Sequence, residues 1–229
     1  MTVAASVEEH AVWRAARRLA VTAPTGNLAL VRTIWGAGDP DAELAGQAPS
    51  VTATRLSRRD ALTGIEQHGV RLWDPFSPAI RHFEQIDTFP YHPEWVIEAR
   101  YTEVPAGRRV PFRHVKDHGR TRDLPVPGDL HLTVAGREHT MSAFDDDGQL
   151  LLVFGDPTNG TTTYGGGRFL IVERAPGADR VVLDFNRAYV PPCGFSPHYN
   201  CPMPPSQNVF AVPVEAGEKL PVFRDGFTV

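Results

Sequence analysis

The sequence has few cysteines and no long apolar stretch. Only Cys193 and Cys201 occur among its 229 residues, which excludes a disulfide-rich scaffold. No segment approaches the roughly 18 consecutive apolar residues of a membrane span. The first 20 residues carry acids early and arginines late, without the apolar core of a secretory signal. We therefore expect a soluble, cytoplasmic protein whose cysteines are free thiols.

The chain also lacks a strong excess of charge. Its formal net charge is −4, and its lysines and arginines are scattered rather than clustered. A nucleic-acid-binding surface normally shows a concentrated basic patch, so this distribution argues against a nucleic-acid partner. The missing apolar span argues against a membrane partner in the same way. Composition leaves the oligomeric state open.

Turn-forming residues are abundant, with 21 prolines and 20 glycines. The hydrophobic share of 41% is ordinary for a globular protein. A chain of this length can form one large β domain. We find no internal repeat or linker, and we therefore predict a single domain over residues 1–229.

The N-terminal residues predict a helix over residues 5–20. Ser6 and Glu9 have the spacing of a capping box. Apolar residues recur at helical spacing at Val12, Ala15, Ala16 and Leu19. We expect the helix to pack over an open end or edge of a β-sheet.

Residues 120–190 have the most regular strand pattern. Leu130–Val134 alternates apolar and polar residues, as in a half-buried strand, whereas Leu150–Phe154 is apolar on both faces, as in a central strand. Further strands are predicted at 168–173 and 181–188, joined by the Pro176-Gly177 turn. This antiparallel β-meander must close or be covered to hide its edges. We predict a barrel or strongly curved sheet, with a two-sheet sandwich as the alternative.

Residues 190–208 are rich in proline, which disfavours regular strand pairing. Phe195, Tyr199 and Met203 make this segment too apolar for a disordered tail. We predict an ordered, extended segment clamped on the barrel, followed by a last strand at Phe210–Val214.

Several motifs resemble a bacterial family that is known only as domain of unknown function 1684. The matching residues run from Asp156-Pro-Thr158 through Gly160, Thr163-Tyr164 and Gly167-Arg168 to Leu183-Asp-Phe-Asn186, Tyr189, Pro191-Pro-Cys193, Cys201-Pro202, Pro204-Pro205, Asn208 and Glu215–Lys219. Val70–Asp74 and Phe89-Pro90 also fit. The resemblance supports the fold assignment and implies no activity.

A polar cluster on the predicted 168–188 hairpin is the candidate ligand-binding site. Its residues are Arg168, Asp184, Asn186, Tyr164 and Tyr189. In a common register Arg168 would lie opposite or diagonal to Asp184 and Asn186, and an Arg–Asp pair could receive a carboxylate or phosphate. We therefore predict a small-molecule-binding protein whose ligand is organic and anionic.

Two alternatives remain open for this cluster. It could instead anchor the glycine-rich loop and the proline segment, whose backbone groups need partners. The protein could also be an enzyme, of hydrolase or isomerase type, with Asp184 or Cys193 as the reactive group.

Two further motifs carry weaker functional interpretations. The loop 155–167 lacks the residues of a nucleotide-binding motif, so we expect a turn in which Asp156, Thr158 and Asn159 bind local backbone. Cys193, His198 and Cys201 are of types that bind zinc, but their spacing is not that of a zinc finger. We expect neither a metal nor a cofactor.

Overall fold

The structure is a computed structural model that describes residues 3–59, 65–105, 107–114, 121–146 and 149–229. The helices are α1 (Val3–Thr22), α2 (Pro40–Leu44) and α3 (Pro78–His82). The strands are β1 (Leu30–Trp35), β2 (Thr52–Arg59), β3 (Glu66–Trp73), β4 (Phe83–Thr88), β5 (Val96–Glu103), β6 (Arg109–Arg113), β7 (Thr121–Pro125), β8 (Gly128–Val134), β9 (Arg137–Asp146), β10 (Gln149–Phe154), β11 (Arg168–Val172), β12 (Arg180–Asp184) and β13 (Glu218–Phe223).

The chain divides into two compact units, each assembled from three separate stretches. The first unit contains Met1–Ala11, Asp87–Pro191 and Cys201–Leu220. The second contains Val12–Ile86, Pro192–Asn200 and Pro221–Val229. The single domain over residues 1–229 stays a prediction.

The first unit is built on a six-stranded antiparallel sheet with the order β11-β10-β9-β8-β5-β12. The sheet curls strongly into a half-barrel, which confirms the predicted mainly-β class. Its inner face follows the alternation in the sequence, since Leu130, Leu132 and Val134 of β8 are buried while Thr133 between them is exposed. Burial of one face removes apolar area from water and fixes the register of each strand.

The predicted central strand is confirmed as β10, which lies between β9 and β11. Its residues 151–154 are all buried. The side chain of Phe154 meets the rings of Phe185 and Phe210 at 5.2 and 5.9 Å between centroids, both edge to face. These aromatic contacts form the centre of the core inside the curl.

The predicted hairpin over residues 168–188 is wrong. β12 pairs with β5 instead, with Val181 opposite Ala99 and Leu183 opposite Ile97. The free edge of β11 is taken at Phe169 by the backbone of Tyr189, through two hydrogen bonds of 3.0 and 2.8 Å. The curl therefore brings β11 and β12 to its two ends, and the meander is consecutive only from β8 to β11.

The predicted N-terminal helix is confirmed, but its buried side differs from the expectation. It begins at Val3, so Ser6 lies inside it rather than at its cap. The stripe predicted to pack on the sheet is exposed, as Val12 and Leu19 show with 71% and 72% exposure. His10 is buried instead, with Nε2 at 2.8 Å from the carbonyl oxygen of Asn186.

The proline-rich segment contributes to both units, and its role as an extended clamp on a barrel stays a prediction. It contains short 3-10 turns at Pro192–Gly194 and Ser206–Asn208. Phe195 is fully buried. The strand predicted at Phe210–Val214 is wrong, because the backbone N–H of Phe210 bonds Gly155 and that of Val214 bonds a carboxylate. The last strand is β13.

The remaining strands form smaller sheets. β1, β3 and β2 form an antiparallel sheet in the second unit. β6 pairs with β7, and β4 pairs with β13. Among the described helices, none combines the length and apolarity needed to cross a membrane.

Gly217 allows the chain before β13 to pass close to the turn that follows β12. Its φ is +80°, and an added Cβ would lie 2.5 Å from the carbonyl oxygen of Ala188 and 2.7 Å from that of Phe185. Gly177 has a similar φ of +77° but open space around its Cα. Alanine substitutions at the two glycines therefore distinguish the free-energy cost of the positive φ, which both share, from the cost of crowding, which only Gly217 has.

We predict that Gly217→Ala lowers the free energy of unfolding by clearly more than Gly177→Ala. The positive φ alone costs about 1–2 kcal/mol for alanine, and crowding at Gly217 adds roughly another 1–3 kcal/mol. Urea denaturation of both variants measures the difference. Equal losses would show that the two segments are not in close contact.

Candidate functional site

Arg168, the central residue of the predicted site, is completely buried and bonded within the protein. Its Nη2 donates to Oδ2 of Asp156 at 3.1 Å and to the carbonyl oxygen of Val214 at 2.7 Å. Its Nη1 donates to the carbonyl oxygen of Ala216 at 2.5 Å. A guanidinium that holds one carboxylate and two carbonyls fixes the chain that carries them.

Asp156 completes this anchor from the loop after β10. Its Oδ2 accepts from the backbone N–H of Val214 at 2.6 Å as well as from Arg168. Its Oδ1 accepts from the hydroxyl of Thr158 at 2.5 Å and from the Thr158 backbone N–H at 3.2 Å. Both carboxylate oxygens are therefore occupied, as a buried charge requires.

The glycine-rich loop is a self-bonded turn in which Asp156, Thr158 and Asn159 bind local groups, as predicted. Oδ1 of Asn159 accepts from the backbone N–H of Asp156 at 2.7 Å. Its Nδ2 donates to the hydroxyl of Thr163 at 2.9 Å. Gly167 lets Pro204 approach closely, since an added Cβ would lie 2.5 Å from the proline Cγ.

Glu218 provides a second buried carboxylate beside the first. It is only 1% exposed, and its Oε2 accepts from the backbone N–H of Val190 at 2.8 Å. The carbonyl oxygens of Val214 and Ala216, a few residues earlier, are those that Arg168 binds. The segment 214–218 is thus fixed at both ends by ionic side chains. Of the anchoring alternative, Arg168 holds the glycine-rich loop through Asp156, but its backbone partners are Val214 and Ala216 rather than the proline segment.

The electrostatics of this anchor are dominated by burial. Burial lowers the pKa of the Arg168 guanidinium to about 10, while the charge of Asp156 acts in the opposite direction. The group therefore keeps its charge at neutral pH in both the folded and the unfolded protein. The rings of Phe154 and Phe89 lie 5.2 and 5.9 Å from its Cζ and contribute a favourable cation–π contact.

The predicted pairing of Arg168 with Asp184 is wrong, because Arg168 binds Asp156 instead and β11 and β12 do not pair in the sheet. Oδ1 of Asp184 accepts from the backbone N–H of Asn186 at 3.1 Å and from its Nδ2 at 2.9 Å. Oδ2 faces Nε of Arg187 at 3.3 Å. Asp184 thus caps the 3-10 turn Phe185–Arg187 and reaches the surface beside it.

Asn186 is fully buried and fixes a loop. Its Oδ1 accepts from the backbone N–H of His92 at 2.8 Å, and its Nδ2 donates to the His92 carbonyl at 3.0 Å. Through these two bonds the Asn186 amide pairs with the backbone of His92 as a neighbouring strand would. They attach the loop before β5 to the turn after β12.

The two tyrosines of the predicted site bind other segments through their backbones. Tyr189 is half-buried, pairs with the backbone of Phe169 and meets its ring at 5.9 Å. Tyr164 is half-buried, and its backbone N–H donates to the carbonyl of Lys219 at 3.2 Å. Neither residue lines the cleft described below.

Asn208 is a structural residue that sequence reasoning missed. It is fully buried, and its Oδ1 accepts from the backbone N–H of Ser142 at 2.8 Å. Its Nδ2 donates to the carbonyls of Ser142 and Val153 at 2.8 and 2.9 Å. The side chain thus bridges β9 and β10. The only signal for it in the sequence was its place in the family motif.

A cleft opens where β11 and β12 face each other without pairing, and we call it the seam cleft. Its volume is about 560 Å³. Its apolar floor and sides are formed by Val96, Leu170, Ile171, Val181 and Val182, and the remaining lining residues are Ser6, Glu9, Tyr91, Glu98, Glu173, Arg180, Asp184 and Arg187. Asp184 is the one member of the predicted site that lines it.

Carboxylates outnumber guanidinium groups four to two in this lining. Arg180 pairs with Glu98, and Arg187 lies 3.3 Å from Asp184 and 3.7 Å from Glu9. Glu173 has no ion-pair partner within the described residues. The cleft therefore carries a net negative charge around an apolar floor.

The cysteine segment shows no arrangement for metal. Neither cysteine forms a disulfide, and Cys193 is half-buried whereas Cys201 is buried. Across the described ranges, no three His, Cys, Asp or Glu side chains are grouped so as to hold a metal ion.

The first unit is thus a curled antiparallel half-barrel in which the buried Arg168–Asp156 ion pair, which we call the ionic clasp, holds residues 214–216. A family model described as "Protein of unknown function (DUF1684)" matches residues 81–219, and the chain belongs to that family. The NMR structure of an uncharacterized protein from Haloarcula marismortui is similar, with 30% identity and a TM-score of 0.51. The match covers 64% of this chain and 82% of the other. No curated protein matches.

We predict that Arg168→Met destabilises the protein by about 3–5 kcal/mol, because Asp156 is then left buried without its cation. Arg180→Met serves as the control. Its ion pair with Glu98 is exposed, and such pairs contribute about 0–1 kcal/mol. Chemical denaturation measures both. A loss at Arg168 no larger than that at Arg180 would contradict the anchor.

Proposed function

We propose that the protein binds a small organic cation, an amine or amidine with an apolar body, in the seam cleft. The single observation that carries this proposal is a cleft of about 560 Å³ whose carboxylates outnumber its guanidinium groups. Small-molecule sites typically span about 300–1,000 Å³ and combine an apolar lining with a few polar groups.

The apolar floor suits the body of such a ligand. Leu170 and Val181 are buried, while Val182 is 58% exposed and therefore available to contact a ligand. Tyr91 adds an aromatic side chain to the lining. Together they offer apolar surface that a ligand would remove from water.

The charges of the lining select the head group. Glu98, Asp184 and Glu9 already face arginines, whereas Glu173 is exposed and has no such partner within the described part of the chain. An incoming cation would pair with Glu173, and an anion would meet an excess of carboxylates. This reverses the anionic ligand expected from sequence, because that expectation depended on Arg168, whose Nη atoms are bonded to the protein itself.

We expect benzylamine or benzamidine to raise the melting temperature, and benzoate of the same size to leave it unchanged. Ligands that bind the folded state alone stabilise it by mass action. Titration calorimetry at low salt should give binding that weakens as salt is added, since the interaction is between partly exposed charges.

Glu173→Gln tests the assigned head-group contact. Loss of one charge pair should weaken amine binding about tenfold. Glu84→Gln, an exposed carboxylate on β4 that does not line the cleft, is the matched control and should leave binding intact. Stabilisation by benzoate, or undiminished amine binding by Glu173→Gln, would overturn the proposal.

A further inference from the structure

The edge of β11 that faces away from β10 already binds one extended backbone segment. Tyr189 pairs antiparallel with Phe169, and the two residues exchange hydrogen bonds of 3.0 and 2.8 Å. Along an antiparallel strand the N–H and C=O groups of successive residues point alternately to its two sides. The groups of Ile171, two residues after Phe169, therefore point to this same edge and away from β10.

The pairing at this edge stops before Ile171. In the register that Phe169 and Tyr189 set, Arg187 would lie opposite Ile171, but Arg187 belongs to the 3-10 turn Phe185–Arg187. The backbone N–H and C=O of Ile171 consequently have no hydrogen-bond partner in the described part of the chain. Unpaired groups on a strand edge are the template to which another extended chain adds.

β12 presents unpaired backbone groups to the same cleft from the opposite side. The backbone N–H of Tyr101 donates to the carbonyl oxygen of Asp179 at 2.8 Å. By the same alternation the N–H and C=O of Val182 point away from β5. Val182 and Ile171 both line the seam cleft, so the cleft offers backbone donors and acceptors as well as carboxylates.

We propose that the cation bound in the seam cleft is a lysine or arginine side chain of a short extended peptide, whose backbone pairs antiparallel with Ile171. This inference rests on the proposed function, because Glu173 receives the cationic group. Addition of a strand to a sheet edge is a common mode of peptide recognition, in which the main chain contributes affinity and alternate side chains contribute specificity.

The register of this pairing defines the sequence that the site recognises. The peptide residue opposite Ile171 exchanges two hydrogen bonds with it. Because the chains are antiparallel, the residue two positions earlier in the peptide lies level with Glu173, which directly follows β11. These two peptide side chains share one face. The favoured order is therefore basic, any residue, apolar, with the apolar side chain packing beside Ile171.

The charge of the cleft selects this peptide over an acidic one. Four carboxylates and two guanidinium groups line it, and Glu173 has no ion-pair partner in the described part of the chain. A basic side chain meets this excess of negative charge, whereas an acidic side chain at the same position adds to it.

Calorimetry of the full chain with acetyl-Lys-Ala-Val-amide, compared with benzylamine, tests the inference. The peptide should bind at least about tenfold more tightly, because it adds two backbone hydrogen bonds to the charge pair. Acetyl-Glu-Ala-Val-amide should not bind. Ile171→Pro removes the edge N–H but no bond to β10, and should weaken peptide binding about tenfold.

Two N-methylated peptides isolate the backbone pairing without altering the protein. A methyl group on the valine nitrogen removes the donor to the Ile171 carbonyl and should weaken binding about tenfold. The alanine nitrogen points away from β11, so its methylation is the matched control and should leave binding intact. If benzylamine binds but the peptide binds no more tightly, or if both methylations have equal effects, the peptide inference fails alone. If neither benzylamine nor the peptide binds, the proposed function fails with it.

Discussion

The structure depends on one charge pair that is removed from water. Arg168 and Asp156 have no exposed side-chain surface, and a buried charge is tolerated only when it is paired and hydrogen-bonded. The pair meets this condition by binding backbone groups of residues 214–216, which connect the core to β13. Apolar packing is not directional, whereas each hydrogen-bond donor of the clasp requires an acceptor at one place. The clasp therefore fixes the position of the segment that it binds.

Under the proposed function, the clasp also limits which residues can contact a ligand. The Nη atoms of Arg168 and the side-chain amide of Asn186 are bonded within the protein, whereas Nε of Arg168 is buried without a hydrogen-bond partner among the described residues. Both side chains are fully buried, so neither is available at the surface to an incoming molecule. The curl of the sheet leaves β11 and β12 unpaired with each other, and the cleft between them exposes side chains that no buried bond requires. Under the proposed function, stability and ligand recognition therefore fall to different residues of the same sheet.

Sequence reasoning succeeded where the signal is local. Two local patterns predict directly which strand faces are buried: the alternation at Leu130–Val134 and the apolar run at Leu150–Phe154. It failed where the pairing partner of a strand lies far away in the sequence. β12 pairs with β5 in the curled sheet, and no residue near Pro176-Gly177 indicates that pairing. In α1 the periodicity of Val12 and Leu19 gave the helix correctly but not its buried side, which a polar residue, His10, occupies instead.

Native-state hydrogen exchange tests the clasp most directly. The backbone amides of Val214 and Val190 donate to the carboxylates of Asp156 and Glu218 outside any regular strand ladder. If these bonds hold the fold together, both amides should exchange only through global unfolding, as slowly as the amides of β10. Exchange as fast as that of an exposed loop would show that the buried ionic pair is not what holds residues 214–218 in place.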